Sequence, residues 1–334
     1  MSVFTLLIVE VLIICLFGSE LLTLHVFLTV MTNSSIKEKL KPWMLPIAIL
    51  CGLVFHRPIG AVQWVLPYLI FVMLLVTFCR VRPSDIRFDG MIWRLLAVQV
   101  FGSIAVFFLI RPLHLPTAQG LMVCVLCPTA TAAPVVTGML GGSVGRTASY
   151  SIVSNLTTAL FAPLMFVVAG AEGNVSFFQE FMLIVMKVAP MIAFPLGLAF
   201  LMYFTAPKLH AAVERAQGGT FYLWAVSLTL VVGKAVSFVL AEPASAIPAM
   251  VAMALGAAVL CVAQFAVGRR IGSHYNEKIT AAQSLGQKNT VLAIWMSINY
   301  LNPISSVAPA AYIAWQNTLN SLQLYLKMRR GRAV

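Results

Sequence analysis

Ser284-Leu285-Gly286-Gln287-Lys288-Asn289-Thr290-Val291-Leu292-Ala293 interrupts an otherwise apolar segment with a run of polar side chains and a helix-weakening glycine. Lysine at the centre of a membrane helix costs about 2.5 to 3.5 kcal/mol on insertion scales, so Lys288 is a functional-site hypothesis in its own right. Its meaning depends on whether the flanking sequence crosses a membrane.

Composition answers that. Of 334 residues, 60% are hydrophobic and 10% charged, and the mean hydropathy is +0.94. A soluble core of ordinary composition cannot bury so much apolar surface, and the chain reads as an all-α polytopic membrane protein. The net charge of +12 does not imply nucleic acid, because no basic run is joined to a binding motif. The six cysteines, Cys15, Cys51, Cys79, Cys124, Cys127 and Cys261, fall mostly in apolar stretches and outline no disulfide framework.

Residues 3–31 are apolar enough to span, although Glu10, Glu20 and His25 interrupt them. They lack the basic start and small-residue cleavage site of a secretory signal, which predicts an uncleaved extra helix. Ten further spans are expected at about 43–55, 60–79, 92–110, 117–139, 147–169, 177–204, 220–240, 246–268, 279–298 and 303–326. With the C-terminus in the cytoplasm, the inside connections collect Lys37, Lys39, Lys41, Arg80, Arg82, Arg87, Arg94, Arg146, Lys208, Arg215, Arg269, Arg270, Lys278, Lys327, Arg329, Arg330 and Arg332. Those are 17 of the 22 basic residues; only Arg57 and Arg111 fall outside. This asymmetry orients the chain in a cell (inner) membrane with its N-terminus outside. Arg146 reads as one more positive-inside residue. Lys187 and Lys234 lie near span ends, from which they can snorkel.

The ten spans divide near residue 171 into halves of five. An odd number per half inverts the second relative to the first, the arrangement of inverted-repeat transporters. The expected organisation is an extra helix and linker at 1–36, repeats at 37–170 and 171–327, and a basic cytoplasmic tail at 328–334. In each half the fourth span is interrupted. Cys127-Pro128-Thr129-Ala130-Thr131-Ala132-Ala133-Pro134 carries two prolines that cannot continue a helix, and Thr129, Thr131 and Thr137 can supply hydroxyls there. The second interruption is the 284–293 stretch, where Ser284, Gln287 and Lys288 share a helix face, as do Gln283, Gln287 and Thr290. Broken backbone is tolerated in a membrane only where it faces protein or a watery cavity, so paired breaks predict a midplane site.

On these two stretches, and on Trp315-Gln316-Asn317 in the last span, the chain resembles the bile acid:sodium symporter family over about residues 40–327. The family's crossovers read approximately Cys-Pro-Gly-Gly-Thr-Ala-Ser-Asn and Glu-x-Gly-x-Gln-Asn-x-x-Leu-Ala. The resemblance implies ten helices in a panel and a core, with alternating access between them. It also implies sodium ligands near Ala133, Pro134, Thr147 and Ser151, at Ser284 and Lys288, and, through a gapped alignment, at Gln99. Several of those positions are altered: Ala133 and Pro134 lack side-chain oxygens, serine replaces a glutamate at 284, and lysine replaces a glutamine at 288. None of the ten acidic residues falls mid-span in the ten-helix core.

The expectation is therefore a divergent member that moves an organic anion, bile-acid-like or a smaller carboxylate or sulfonate. Lys288 stands in for a sodium ion and holds Ser284, Gln287 or backbone carbonyls by charge-assisted hydrogen bonds. Half-helix N-termini favour an anion, and the substrate-lining set is Thr131, Ala133, Pro134 and Val135 with Asn289 and Thr290. The ion-site or coupling set is Lys288, Ser284, Gln287, Gln99, Thr147 and Ser151. No cofactor is expected; sodium is doubtful, and proton coupling at Lys288 is an extension. Two alternatives stay open: an arsenite-permease-like exporter using Cys124 and Cys127, and a non-transporting receptor of the same fold. No spacing of His56, His114, His210 or His274 forms a catalytic set, so an enzyme is not expected. The predicted partners are the anion, the bilayer and a second copy joined through the N-terminal helix.

Overall fold

The computed structural model describes residues 44–79, 89–170 and 177–331. The expected N-terminal helix with Glu10 and Glu20, the junction near residue 171 between the two predicted halves, and the end of the basic tail lie outside these residues. The described chain is helical, and two residues form an isolated antiparallel bridge.

The helices are α1 (Met44–Val54), α2 (His56–Val62), α3 (Leu66–Phe78), α4 (Gly90–Ile110), α5 (Leu115–Leu126), α6 (Ala133–Leu140) and α7 (Val144–Gly170). They continue with α8 (Phe177–Thr205), α9 (Pro207–Arg215), α10 (Gln217–Ala241), α11 (Ile247–Ser273), α12 (Lys278–Gly286), α13 (Thr290–Tyr300) and α14 (Val307–Gly331). Among the described residues, six segments are long and apolar enough to cross a bilayer: His56–Phe78, Gly90–Ile110, Val144–Gly170, Ile184–Thr205, Tyr222–Ala241 and Ala244–Ser273. Their outer surfaces fit that solvent. Phe101, Leu160, Phe194 and Val259 are each between 68% and 71% exposed, which hydrocarbon accommodates and water does not. The chain is an all-α, multi-pass membrane protein.

Two connections differ from the expectation. The loop anticipated between 55 and 60 is a single joint at Phe55, after which α2 begins at once, so Arg57 sits in a first helical turn. Pro58 explains this, since a fixed φ and a missing N–H suit a helix start. The connection anticipated after 204 contains α9, begun by Pro207. Its His210 packs edge-on against Tyr203 at 5.4 Å while Lys208 and Arg215 stay exposed, an amphipathic surface helix.

Helix α10 packs on α1, α2 and α3, and α8 packs on α3. A second group joins α4, α5, α11, α12 and α14, and α7 and α13 connect the two. Helix α11 lies tightly on α12. A Cβ added at Gly268 would stand 2.5 Å from the Ala281 carbonyl oxygen, so the small residue lets the backbones meet. This contact fixes α12, which ends at the site.

Candidate functional site

Helix α5 stops at Leu126 because Pro128 cannot donate the next backbone bond, and α6 restarts at Ala133 with Pro134 in its first turn. Helix α12 stops at Gly286, where an added Cβ would strike the Phe265 ring at 2.5 Å. Asn289 then starts α13, its Oδ1 accepting from the Leu292 N–H at 3.2 Å. Both interruptions thus fall where the sequence puts them.

The two breaks cross and pair through an antiparallel bridge between Thr129 and Lys288. The Ala130 N–H donates to the Gln287 carbonyl at 2.8 Å, and the Asn289 N–H donates to the Pro128 carbonyl at 2.8 Å. Backbone groups freed by one break therefore satisfy those freed by the other.

The end of α5 shows what Lys288 does. A helix terminus leaves its last carbonyls without intrahelical donors. The Lys288 ammonium, 1% exposed, donates to the Val125 carbonyl at 2.7 Å and to the Cys127 carbonyl at 2.9 Å. Between them, the Leu126 carbonyl accepts from Gln99 Nε2 at 2.8 Å and Thr158 Oγ1 at 3.0 Å. Gln264 Nε2 reaches the Cys124 carbonyl at 3.3 Å. The cation also meets the negative end of the helix dipole, so its charge is compensated by peptide groups in place of a carboxylate.

The remaining predicted residues divide. The Ser284 carbonyl accepts from Thr129 Oγ1 at 2.6 Å, whereas Ser284 Oγ and Gln287 Oε1 are buried without a hydrogen-bond partner. Neither side chain bonds the ammonium; of the three expected kinds of partner, the backbone carbonyls hold it. Gln99 has four bonds: besides its two donors, Oε1 accepts from Tyr150 OH at 3.0 Å and Ser154 Oγ at 2.7 Å. Thr147 Oγ1 meets Thr137 Oγ1 and the Ser143 carbonyl, both at 3.1 Å. Ser151 Oγ has no partner. Thr131 is half-buried, Ala133, Pro134, Asn289 and Thr290 are buried, and Val135 is exposed.

The residues present do not fit a cation at the position of the Lys288 ammonium, since the carbonyls that would ligate it already accept from Nζ. Three groups missing from the predicted sets complete the crossing. Gln316 accepts from the Lys288 N–H at 2.9 Å and donates to its carbonyl at 3.3 Å, and Tyr312 OH donates to the Gly286 carbonyl at 2.8 Å. Ser154 Oγ stands 3.3 Å from the Thr129 N–H. Gln316 was visible in the Trp315-Gln316-Asn317 stretch; Tyr312 and Ser154 carried no sequence signal.

Cys124 and Cys261 pack in one buried apolar cluster. The Cys127 thiol donates to the Asn289 carbonyl at 3.0 Å, and no group of three or more His, Cys, Asp or Glu residues among the described residues is placed to hold a metal ion.

Near the start of α7, Arg146 bridges Asp89 at 2.9 Å and Glu277 at 3.2 Å. Glu277 also accepts from Thr280 Oγ1, whose oxygen accepts from the Ser143 N–H at 2.9 Å. Arg146 is thus a rivet between α4, α7 and α12. Replacing it with alanine strands two carboxylates whose side chains are 27% and 22% exposed. We expect a loss of about 1 to 2 kcal/mol, between the values for exposed and buried pairs. Thermal unfolding in detergent measures it, and a smaller loss in the Glu277→Gln background identifies the coupling.

The fold and site together define an all-α multi-pass membrane protein built on two crossed helix breaks, with a buried lysine at the crossing. No protein-family model matches the chain, and no curated protein matches it in sequence.

Proposed function

We propose that this chain is a secondary transporter of an organic anion, a divergent member of the bile acid:sodium symporter family and not an enzyme. The observation that carries this reading is the Lys288 ammonium, which bonds two helix-end carbonyls beside the antiparallel crossing of two broken helices. Crossed breaks at membrane depth are a recurrent setting for substrate and ion sites. A fixed ammonium there supplies the positive charge that a bound sodium ion would otherwise bring.

In this reading ten spans form two inverted halves, the C-terminus is cytoplasmic, and the anion sits against Thr131, Asn289 and the starts of α6 and α13. The membrane is a cell (inner) membrane, and the N-terminal segment joins two copies. Transport is not coupled to sodium in the family's usual way. A negative-inside potential of 100 mV favours export of a monoanion by about 2.3 kcal/mol, so export or anion exchange follows naturally. Proton coupling belongs to the same test. The arsenite-permease alternative loses ground because the Cys127 thiol is committed to a backbone carbonyl; the receptor alternative is separated by flux.

The experiment is uptake and exchange of a panel of carboxylates and sulfonates in proteoliposomes, with sodium and pH gradients imposed separately. We expect saturable flux of at least one anion, unchanged when sodium is replaced by choline. Binding without flux would instead identify a receptor, and flux that collapses in choline would remove the proposed role of Lys288.

A further inference from the structure

Arg57 in α2, Trp64 in the 3-10 turn Gln63–Val65, and Tyr68 and Phe71 in α3 recur at i, i+7, i+11 and i+14, spacings that keep them near one side of a helical rod. Arg57 is exposed and makes no salt bridge among the described residues. Trp64 and Tyr68 form an edge-to-face pair at 6.4 Å and are 68% and 66% exposed. At the foot of this stripe a groove of about 520 Å³ opens between α3, α8 and α13. Pro67, Tyr68 and Phe71 line one wall, Pro190, Met191 and Phe194 a second, and Trp295, Asn299 and Tyr300 the third.

The dimensions match a lipid. Eleven residues separate Arg57 from Tyr68, a rise of about 17 Å, while half of a bilayer's hydrocarbon core is about 15 Å. A cation at the phosphate level therefore stands above aromatic rungs that lead into a largely apolar slot. Because Tyr68 and Phe194 are largely exposed on membrane-spanning segments, the mouth of the slot opens onto hydrocarbon.

We propose that this stripe and groove bind one anionic phospholipid, its phosphate on Arg57 and one acyl chain lying between α3, α8 and α13. The site requires only that these helices span a bilayer, and so stands independently of the transport reading. Its position against α13, which starts at the crossing, puts the chain beside the second broken helix.

The test uses the full-length protein in phosphatidylcholine nanodiscs titrated with phosphatidylglycerol carrying brominated acyl chains. The fluorescence of Trp295 is taken as the difference between wild type and Trp295→Phe. We expect saturable quenching of that component by the brominated phosphatidylglycerol. Arg57→Gln shifts the half-maximal lipid fraction upward about fivefold, equivalent to about 1 kcal/mol for one basic residue at an anionic surface. Met191→Phe, which fills the slot, lowers the maximal quenching. Circular dichroism and gel filtration verify that both variants fold, and the amount of phosphatidylglycerol that copurifies gives a second readout in which both fall below wild type. Equal quenching by brominated phosphatidylcholine, unaffected by Arg57→Gln, would show bulk lipid contact only and overturn the proposal. Quenching by aqueous acrylamide in place of lipid would overturn it too, by making the groove a water-filled vestibule.

Discussion

Replacing Lys288 by glutamine is expected to convert sodium-indifferent flux into sodium-dependent flux. The Val125 and Cys127 carbonyls, 2.7 and 2.9 Å from Nζ, project from the end of α5, where the helix dipole concentrates negative potential. Glutamine removes the ammonium and brings a neutral amide, an oxygen with an N–H donor, on a side chain one atom shorter. The two carbonyls then lack their cationic donor, and each buried carbonyl left unsatisfied costs about 1 to 3 kcal/mol. Without sodium we expect flux to fall at least tenfold, an allowance of about 1.4 kcal/mol from that cost. With sodium, the ion takes the place of the ammonium and restores most of it. Lys288→Leu, which offers no oxygen, should stay inactive in either salt. Thermal unfolding gives a readout that does not depend on knowing the substrate: sodium should raise the melting temperature of Lys288→Gln and leave wild type unmoved. Identical rates and sodium indifference in wild type and Lys288→Gln would remove Lys288 from the coupling mechanism.

Six of the expected spans were legible because hydrocarbon imposes a length and composition that few other environments do, and the first break because Pro128 and Pro134 physically end helices. The second break was legible through Gly286 and a polar run, although no proline marks it. What sequence could not supply was the partner of Lys288. The groups that hold the ammonium are carbonyls, which every residue carries, on a segment about 160 positions away; only the antiparallel crossing selects Val125 and Cys127 from the rest. The same blindness applies to Arg146, whose expected place in an inside connection matches the positive-inside pattern while its guanidinium, in the first turn of α7, reaches Asp89 and Glu277 at the starts of two other helices. Helix α9 was missed because its nine residues are too short and polar to register as a span.

Gln99 is where the two kinds of reading diverge most, and a substitution separates them. The family resemblance makes it an ion ligand, whereas its hydrogen bonds make it a strut. Oε1 already accepts from Tyr150 and Ser154, and Nε2 donates to the Leu126 carbonyl and Thr158. A cation at Oε1 would face two hydroxyl donors that must first turn away. Gln99→Leu strands the Tyr150 hydroxyl and removes one donor from the end of α5. It also frees Ser154, whose hydroxyl stands against the Thr129 N–H in the crossing. We expect a loss of about 2 to 4 kcal/mol from these buried polar groups, seen as a lower melting temperature in detergent. Flux should fall in proportion to folded protein, with unchanged sodium and pH dependence. Gln99→Glu should also destabilise, because its carboxylate would confront the Leu126 carbonyl with no N–H to offer. A Gln99→Leu protein as stable as wild type but altered in ion dependence would reverse the assignment and make Gln99 a ligand.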